Sequence, residues 1–209
     1  MEFSSANPSV VRSIKQRVLL NAWLRAQASG KQLPVAADFR PEGLLEELDD
    51  MMGFDVRYEA DGEAARFLIT QEGSRLASTY GSEHIAPEQR TNRYLDEAIG
   101  PERYARVAPC YLACIASKRP VYAISRVNDA DGREVSYERL LFPFGRTDRV
   151  EQIIGSYKTI SLEGSFRLGN LMGVAAAATQ VVVVNAVIDK ELARRPQGVR
   201  IADDIVEAD

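Results

Sequence analysis

The sequence predicts an α+β fold built on a five-stranded antiparallel sheet with helices on one face. Three strand-like runs follow one another between residues 119 and 160, and the first two flank Asp131-Gly132, a dipeptide typical of hairpin turns. Two further strand-like runs flank Asp61-Gly62. Between the two groups, residues 102–117 carry apolar side chains at helical spacing. A hairpin, a connecting helix and a three-stranded meander place helices and antiparallel strands in separate layers.

The chain before the first hairpin is predicted to hold a tail and two helices. Residues 1–8 are polar and predicted to be disordered, whereas residues 9–27 alternate apolar side chains, including Trp23, with basic ones at the spacing of an amphipathic helix. Leu33-Pro34 begins an extended linker, because the residue before a proline avoids the helical region. Pro41 then opens a short acidic helix, since glutamates stabilise the positive end of a helix.

The middle of the chain alternates strand-like and helical patterns. We predict strands at residues 54–59 and 66–71, short helices at 74–80 and 92–99, a long helix at 102–117, and three strands that end with residues 150–160. The domain boundaries follow from this order: residues 1–16 form the tail and the start of the first helix, 17–160 the main domain, and 161–209 a C-terminal extension.

The C-terminal extension is predicted to be helical with a disordered acidic end. Residues 171–188 carry no charge but are rich in alanine, which contributes almost nothing to membrane insertion. Their length is also at the bottom of the spanning range of about 17–25 residues, so we expect packing against protein and no membrane span. Val181 to Val184 favour a strand while the alanines favour a helix, and the helix is our prediction.

Composition limits the class of protein. The 209 residues include 45% hydrophobic and 27% charged side chains, which is typical of one globular domain with appendages. The net charge of −4 argues against a nucleic-acid partner, since phosphate binding needs a basic surface. Cys110 and Cys114 share a helical face and are expected to be buried hydrophobes, without metal or disulfide. So few cysteines, together with an N-terminus that lacks a secretory signal, predict a cytoplasmic protein.

Individual residues carry a family resemblance. They are Trp23, Leu33-Pro34 with Asp38, Gly73, Tyr80-Gly81, Arg119-Pro120-Val121-Tyr122, Asp131-Gly132-Arg133 and Tyr137-Glu138-Arg139-Leu140-Leu141-Phe142-Pro143-Phe144. Over residues 17–160 the chain therefore resembles the divergent bacterial family of PAS-like sensory domains, and residues 137–144 are the most specific part of the match. The chain departs from the family in a longer loop at 81–90 and in Met51-Met52-Gly53, which replaces the usual aliphatic run. The resemblance implies a PAS-like sheet and a sensory role.

Neither a cofactor nor catalysis is expected. His84 is the sole histidine and lies in a polar loop, which makes a poor haem site. The flavin photochemistry of light-sensing PAS relatives needs a cysteine in an Asn-Cys-Arg context, which neither cysteine has. A single histidine also leaves no Ser-His-Asp or Cys-His set, and residues 169–173 lack the lysine of a P-loop. We therefore predict a protein that is not an enzyme.

The candidate ligand-binding residues come from the strand pattern near residue 138. Alternation places Arg139 on one face of the sheet and Glu138 on the other, so one charged side chain approaches the core. That charge either pairs internally, or reaches solvent at a strand end, or binds a ligand. Nearby tyrosines supply hydroxyl groups for the same cavity. The candidate set is Tyr104, Tyr111, Tyr122, Tyr137, Glu138 and Arg139.

The function predicted from the sequence is that of a sensor or signalling module. A small molecule would bind between the long helix and the last three strands and change the interactions of the chain with a protein partner. A homodimer is expected because the flanking segments carry more apolar surface than a lone helix leaves in water. The alternative is a structural dimerisation module whose cavity is filled by its own side chains and binds no ligand.

Overall fold

The computed structural model describes residues 2–27, 32–59, 64–79, 91–128, 134–161 and 181–194. The strands are β1 (Ser4–Ala6), β2 (Met51–Tyr58), β3 (Ala65–Glu72), β4 (Val121–Asn128), β5 (Glu134–Phe144), β6 (Gln152–Ser161) and β7 (Val181–Ile188). The helices are α1 (Ile14–Ala26), α2 (Leu44–Glu47), α3 (Ser74–Thr79), α4 (Leu95–Ile99), α5 (Pro101–Ser117) and α6 (Lys190–Arg194). Three 3-10 turns cover Pro8–Val10, Ala36–Asp38 and Leu48–Asp50.

The five strands predicted from the sequence form one continuous antiparallel block. Its order is β4-β5-β6-β2-β3, so the meander and the hairpin are joined through β6 and β2. The β4–β5 pairing runs from Val121 opposite Leu141 to Asn128 opposite Glu134. The predicted turn residues Asp61-Gly62 and Asp131-Gly132 lie outside the described ranges, but the strands on either side of each pair as expected. The α+β class and the connectivity are confirmed.

The prediction of five strands is wrong, because the described sheet has seven. β7 pairs antiparallel with β4, and β1 pairs parallel with β7, with Ser4 opposite Ala186. The N-terminal tail predicted to be disordered thus contains a strand, and residues 181–188 form a strand where we predicted a helix. The free edge of β4 explains both differences. It offers unpaired backbone groups to the β-branched run of β7, whose own edge then accepts β1.

The prediction that helices cover one face is also wrong, because helices cover both. One core cluster lies between the sheet and α5 and includes Val121, Ala123, Leu141 and Ile153. The other lies between the sheet and α1 and includes Tyr122, Ile124, Leu140 and Phe142. The two sets alternate along the same strands, and both are apolar. Each face of the sheet therefore needs a helical cover.

Helix α1 is anchored to the sheet by polar contacts as well as by apolar packing. Ser13 caps its start, with the hydroxyl accepting from the Gln16 amide at 3.4 Å. The buried Gln16 side chain donates to the Ser156 carbonyl at 3.1 Å. Trp23 is 1% exposed and donates from Nε1 to the Pro143 carbonyl at 2.9 Å. Trp23 therefore packs against the sheet of its own chain.

Helix α5 has the bounds that the sequence predicts, within one residue. It begins after Gly100, whose φ of 76° suits glycine, and Pro101 occupies the first turn. It ends at Lys118, which adopts the left-handed conformation. Cys110, Tyr111 and Cys114 face the sheet and are buried. In the described ranges, no helix combines the length and the apolar character needed to cross a membrane.

Candidate functional site

Arg139 and Glu138 both point at a covered face of the sheet. Arg139 lies on β5 between Ala123 of β4 and Tyr157 of β6, on the side of α5. Glu138 lies on the side of α1. The expectation that only one of these charges faces the interior is therefore wrong. It assumed that one face of the sheet is exposed to solvent, whereas helices cover both faces. Two separate environments have to be considered.

The Arg139 guanidinium has few partners. Its Nη1 lies 3.7 Å from Cys110 Sγ, which is a weak acceptor, and its carbon lies 5.8 Å from the centre of the Tyr157 ring. Its Nε is buried and donates to no atom within the described ranges. Among the described residues, no carboxylate forms an ion pair with it. Because arginine stays protonated in proteins, a positive charge is held against α5, and the part of the chain that the structure describes supplies no counter-charge.

Two tyrosine hydroxyls meet beside this guanidinium. Tyr111 of α5 and Tyr157 of β6 lie 2.6 Å apart at their hydroxyl oxygens. The Tyr111 ring is held by Phe54 and Phe67, at 5.2 and 5.0 Å between ring centres. The Tyr157 ring lies over Gly155, where an added Cβ would be 2.6 Å from the tyrosine oxygen. A glycine at this position therefore lets the tyrosine lie against the strand.

Burial keeps the hydroxyls of this region neutral. It raises the pKa of Tyr157 to about 12, although the Arg139 charge and the Tyr111 hydrogen bond both act to lower it. It also raises the pKa of Tyr137, two residues before Arg139 on the same strand face, and Arg139 again acts in the opposite direction. The Tyr137 hydroxyl is buried and has no hydrogen-bond partner in the part of the chain that the structure describes. We call Cys110, Tyr111, Tyr137, Arg139 and Tyr157 the Arg139 cluster.

Glu138 is satisfied by groups of the protein itself. It is 2% exposed, and its Oε2 accepts from the Ser13 amide at 3.3 Å, at the cap of α1. The Tyr122 hydroxyl also bonds to Glu138 and accepts from the Arg12 amide at 3.1 Å. Burial, and then Glu138, raises the pKa of Tyr122, while the Arg12 amide lowers it. A carboxylate at a helix N-terminus is stabilising, so Glu138 fixes α1 on the sheet.

The predicted site residues therefore fall into three places. Tyr111, Tyr137 and Arg139 come together, whereas Tyr122 and Glu138 lie on the opposite face. Tyr104 lies two helical turns before Tyr111, about 10 Å along the axis. Its hydroxyl is near the Arg66–Asp96 ion pair: burial and Asp96 raise its pKa, and Arg66 lowers it. No contact joins Tyr104 to Arg139 among the described residues.

The sequence interpretation missed Tyr157 and the polar role of Cys110. Tyr157 lies directly opposite Arg139 in the β5–β6 register. Alternation along β6 predicts that Tyr157 lies on the same face of the sheet as Gly155. It does not predict whether that face also carries Arg139, because the register between β5 and β6 depends on the turn that joins them. Cys110 was predicted to be a buried hydrophobic residue, and it is buried. Its sulfur also accepts a weak hydrogen bond from the Arg139 guanidinium.

The Arg139 cluster supplies recognition chemistry. It offers a cation, one unpaired hydroxyl and a pair of linked hydroxyls in an aromatic surround. Burial raises the pKa of Tyr137 and of Tyr157, and burial followed by the neighbouring Cys110 raises the pKa of the Cys114 thiol as well. Neutral hydroxyl and thiol groups both donate and accept hydrogen bonds.

The chain was compared with protein families, curated proteins and solved structures. No family model matches the sequence, and no curated protein does. A solved RNA-binding light-oxygen-voltage receptor is similar in structure, with 19% sequence identity and a TM-score of 0.36. The match covers 56% of this chain and 31% of that receptor, so the matched part spans about a third of the receptor's length. At this level the likeness says nothing about what the present chain binds.

Proposed function

We propose that this chain is a cytoplasmic, non-enzymatic PAS-like sensor or signalling module. A small molecule would bind between α5 and strands β4–β6, at the Arg139 cluster, and alter contacts with a protein partner. The observation that carries the proposal is the Arg139 guanidinium, held against α5 with no carboxylate partner among the described residues.

An empty cluster would cost free energy. A buried polar group without a hydrogen-bond partner destabilises a fold by about 1–3 kcal/mol, and more when it is charged. Here both Arg139 Nε and the Tyr137 hydroxyl are in this state. Native proteins satisfy most such groups, and those left over concentrate at functional sites. A ligand with acceptor atoms would satisfy both groups at once.

The opposite face of the sheet offers a route to an output. Glu138 is the neighbour of Arg139 on β5 and bonds to the Ser13 amide at the start of α1. A displacement of β5 at Arg139 would therefore act on the cap of a flanking helix. Helix α1 also exposes Ile14 and Val18, at 72% and 37%, which a second copy could cover. The proposed output is a change in contacts made by α1.

Native mass spectrometry tests the proposal most directly. The full chain is purified from its own host and measured under native and denaturing conditions. We expect an added mass in the native spectrum that disappears on denaturation. A matched Arg139→Met preparation should lack the added mass. A native mass equal to the sequence mass in the parent protein would contradict the proposal.

One observation favours the alternative of a structural module without a ligand. Phe54 and Phe67 pack on Tyr111, so side chains of the protein fill part of the space under α5. In that case Arg139 would be satisfied within the chain, and its removal would leave a buried partner behind. Severe destabilisation of Arg139→Met, together with an empty native protein, would favour this second function.

A further inference from the structure

Resting on the function proposed above, we infer that the ligand is a small organic monocarboxylate, with its carboxylate on Arg139 and its apolar body among the aromatic rings under α5. The inference names the chemical class of ligand, and three features of the Arg139 cluster support it.

The first feature is charge. Arg139 brings one positive charge, and the titratable neighbours around it, Tyr137, Tyr157 and Cys114, have raised pKa values and are neutral at pH 7. No other cation is in contact with the guanidinium among the described residues. A ligand with one negative charge would therefore neutralise the site. A phosphate dianion would carry a second charge into it without compensation.

The second feature is the direction of the free donors. Nη1 is turned to Cys110, while Nε is buried without a partner. Nε and the neighbouring guanidinium nitrogen form one of the two edges that match a carboxylate through parallel hydrogen bonds. The Tyr137 hydroxyl on the same face is a further donor without a partner. Carboxylate oxygens accept several hydrogen bonds, so one group can use all of these donors.

The third feature is the surround. Ala123 pairs with Arg139 across β4 and β5, so the neighbouring strand presents only a methyl group beside the long arginine side chain. Phe54, Phe67 and Tyr111 form an aromatic wall on the same side of the sheet. Apolar walls with few polar groups are typical of small-molecule sites. They suit an apolar body better than a second polar group.

Isothermal titration of the full chain with matched acids and amides tests the inference. The probes are benzoate and hexanoate, their neutral partners benzamide and hexanamide, and inorganic phosphate. We expect at least one acid to bind, with the matching amide and phosphate weaker by on the order of 100-fold, the scale of a lost charge-assisted pair. Arg139→Met should abolish acid binding, and Tyr137→Phe should weaken it several-fold.

Two control variants distinguish a loss of ligand binding from a loss of the folded structure. Arg126→Met removes the same charge from a half-exposed position on the other strand face and should bind like the parent. Arg139→Lys keeps the charge but loses the paired geometry, so it should fold and bind weakly. Circular dichroism of every variant verifies the fold.

The outcomes separate this inference from the proposed function. Equal binding of acid and amide, tighter binding of phosphate, or a neutral compound in the native mass spectrum would overturn the monocarboxylate and leave a small-molecule sensor. Unchanged binding by Arg139→Met would overturn both the monocarboxylate and the proposed site at the Arg139 cluster. A carboxylic acid recovered from the native protein would support the monocarboxylate. If no probe binds and the native protein is empty, both the inference and the proposed function are wrong.

Discussion

Two adjacent charges of β5 lie on opposite covered faces of the sheet and have different partners there. Glu138 accepts from a backbone amide at a helix start and from a tyrosine hydroxyl, so its charge contributes to the packing of α1. Arg139 has a thiol sulfur and a ring face in place of a carboxylate. Removing one partner of a buried hydrogen-bonded pair lowers the free energy of unfolding, because the other partner stays buried without a bond. Removing a buried charge that has no partner does not have this effect. The two side chains should therefore differ in their effect on stability.

We predict that Arg139→Met leaves the free energy of unfolding unchanged or raises it, because no buried partner is left behind and a desolvated charge is removed. The matched change Glu138→Leu should lower it by about 2 kcal/mol or more, since the Ser13 amide and the Tyr122 hydroxyl lose their acceptor. Urea unfolding of ligand-free protein measures both. A larger loss for Arg139→Met than for Glu138→Leu would show that the guanidinium is paired internally.

At the scale of elements, the strands whose own residues show a strand-like pattern, β2 to β6, could be predicted from the sequence. Strands β1 and β7 could not. Strands β2 to β6 are rich in apolar and β-branched residues, Asp-Gly dipeptides separate β2 from β3 and β4 from β5, and the predicted hairpin and meander are present. β1 has three small residues and no pattern, and its parallel pairing depends on β7. β7 forms because β4 presents a free edge, which a local sequence window does not contain.

The candidate site shows the same division. Alternation was enough to group Tyr137 with Arg139, and helical spacing put Tyr111 on the covered face of α5. Glu138 was predicted to line the cavity under α5 but lies on the opposite face of the sheet. That face is covered by α1, which is more than 100 residues away in the chain. Tyr157 needed the β5–β6 register, which depends on the turn. Long-range contacts supplied what local patterns could not.

The seven-stranded order predicts a specific pattern of hydrogen exchange in β4. In an edge strand every second amide faces solvent and exchanges rapidly, whereas in an internal strand all are bonded. β4 is paired with β5 on one side and β7 on the other. We expect slow exchange at consecutive amides from 121 to 124, measured by NMR on the full chain. Rapid exchange at alternate amides would mean that β7 is not paired with β4.

The contact between α2 and β6 predicts acid sensitivity. Glu47 is 4% exposed and lies 2.8 Å from Lys15 Nζ and 2.6 Å from Lys158 Nζ, and Lys158 also contacts Asp50 at 2.6 Å. Burial acts to raise the pKa of Glu47, but the two lysines prevail and lower it. A folded pKa below the unfolded one stabilises the protein above the unfolded pKa of about 4.3. That stability is lost as the pH falls through the folded pKa.

Lys158→Met tests this ion cluster. The change leaves the buried Glu47 with Lys15 alone, so we expect a loss of about 3 kcal/mol or more at pH 7 and a higher midpoint pH for acid unfolding. Urea unfolding between pH 3 and pH 7 measures both quantities. Arg57→Met, which breaks an exposed pair with Asp55, is the matched control and should cost less than about 1 kcal/mol. Equal effects of the two changes would contradict the assignment.

At the scale of the whole molecule, α1 links the buried side of the sheet to the surface. Trp23 and Gln16 bind it to β5 and β6, and Glu138 holds its start. The same helix turns Ile14 and Val18, one turn apart, toward solvent. A helix that is fixed on one side and carries two exposed apolar side chains on the other is suited to carry a change at β5 to a second copy of the chain.

We predict that the chain is a dimer at tens of micromolar, formed through this face of α1. The double change Ile14→Lys and Val18→Lys should give a monomer by sedimentation, because two charges would be desolvated at each contact. Trp23 serves as the internal control: its buried indole should emit at blue-shifted wavelengths in parent and variant alike, since its bond to the Pro143 carbonyl lies within one chain. A parent chain that sediments as a monomer, or a variant that stays dimeric, would rule out α1 as the interface. A red-shifted variant would instead show that α1 had left the sheet, and dissociation would then follow from local unfolding and not from the loss of a surface contact.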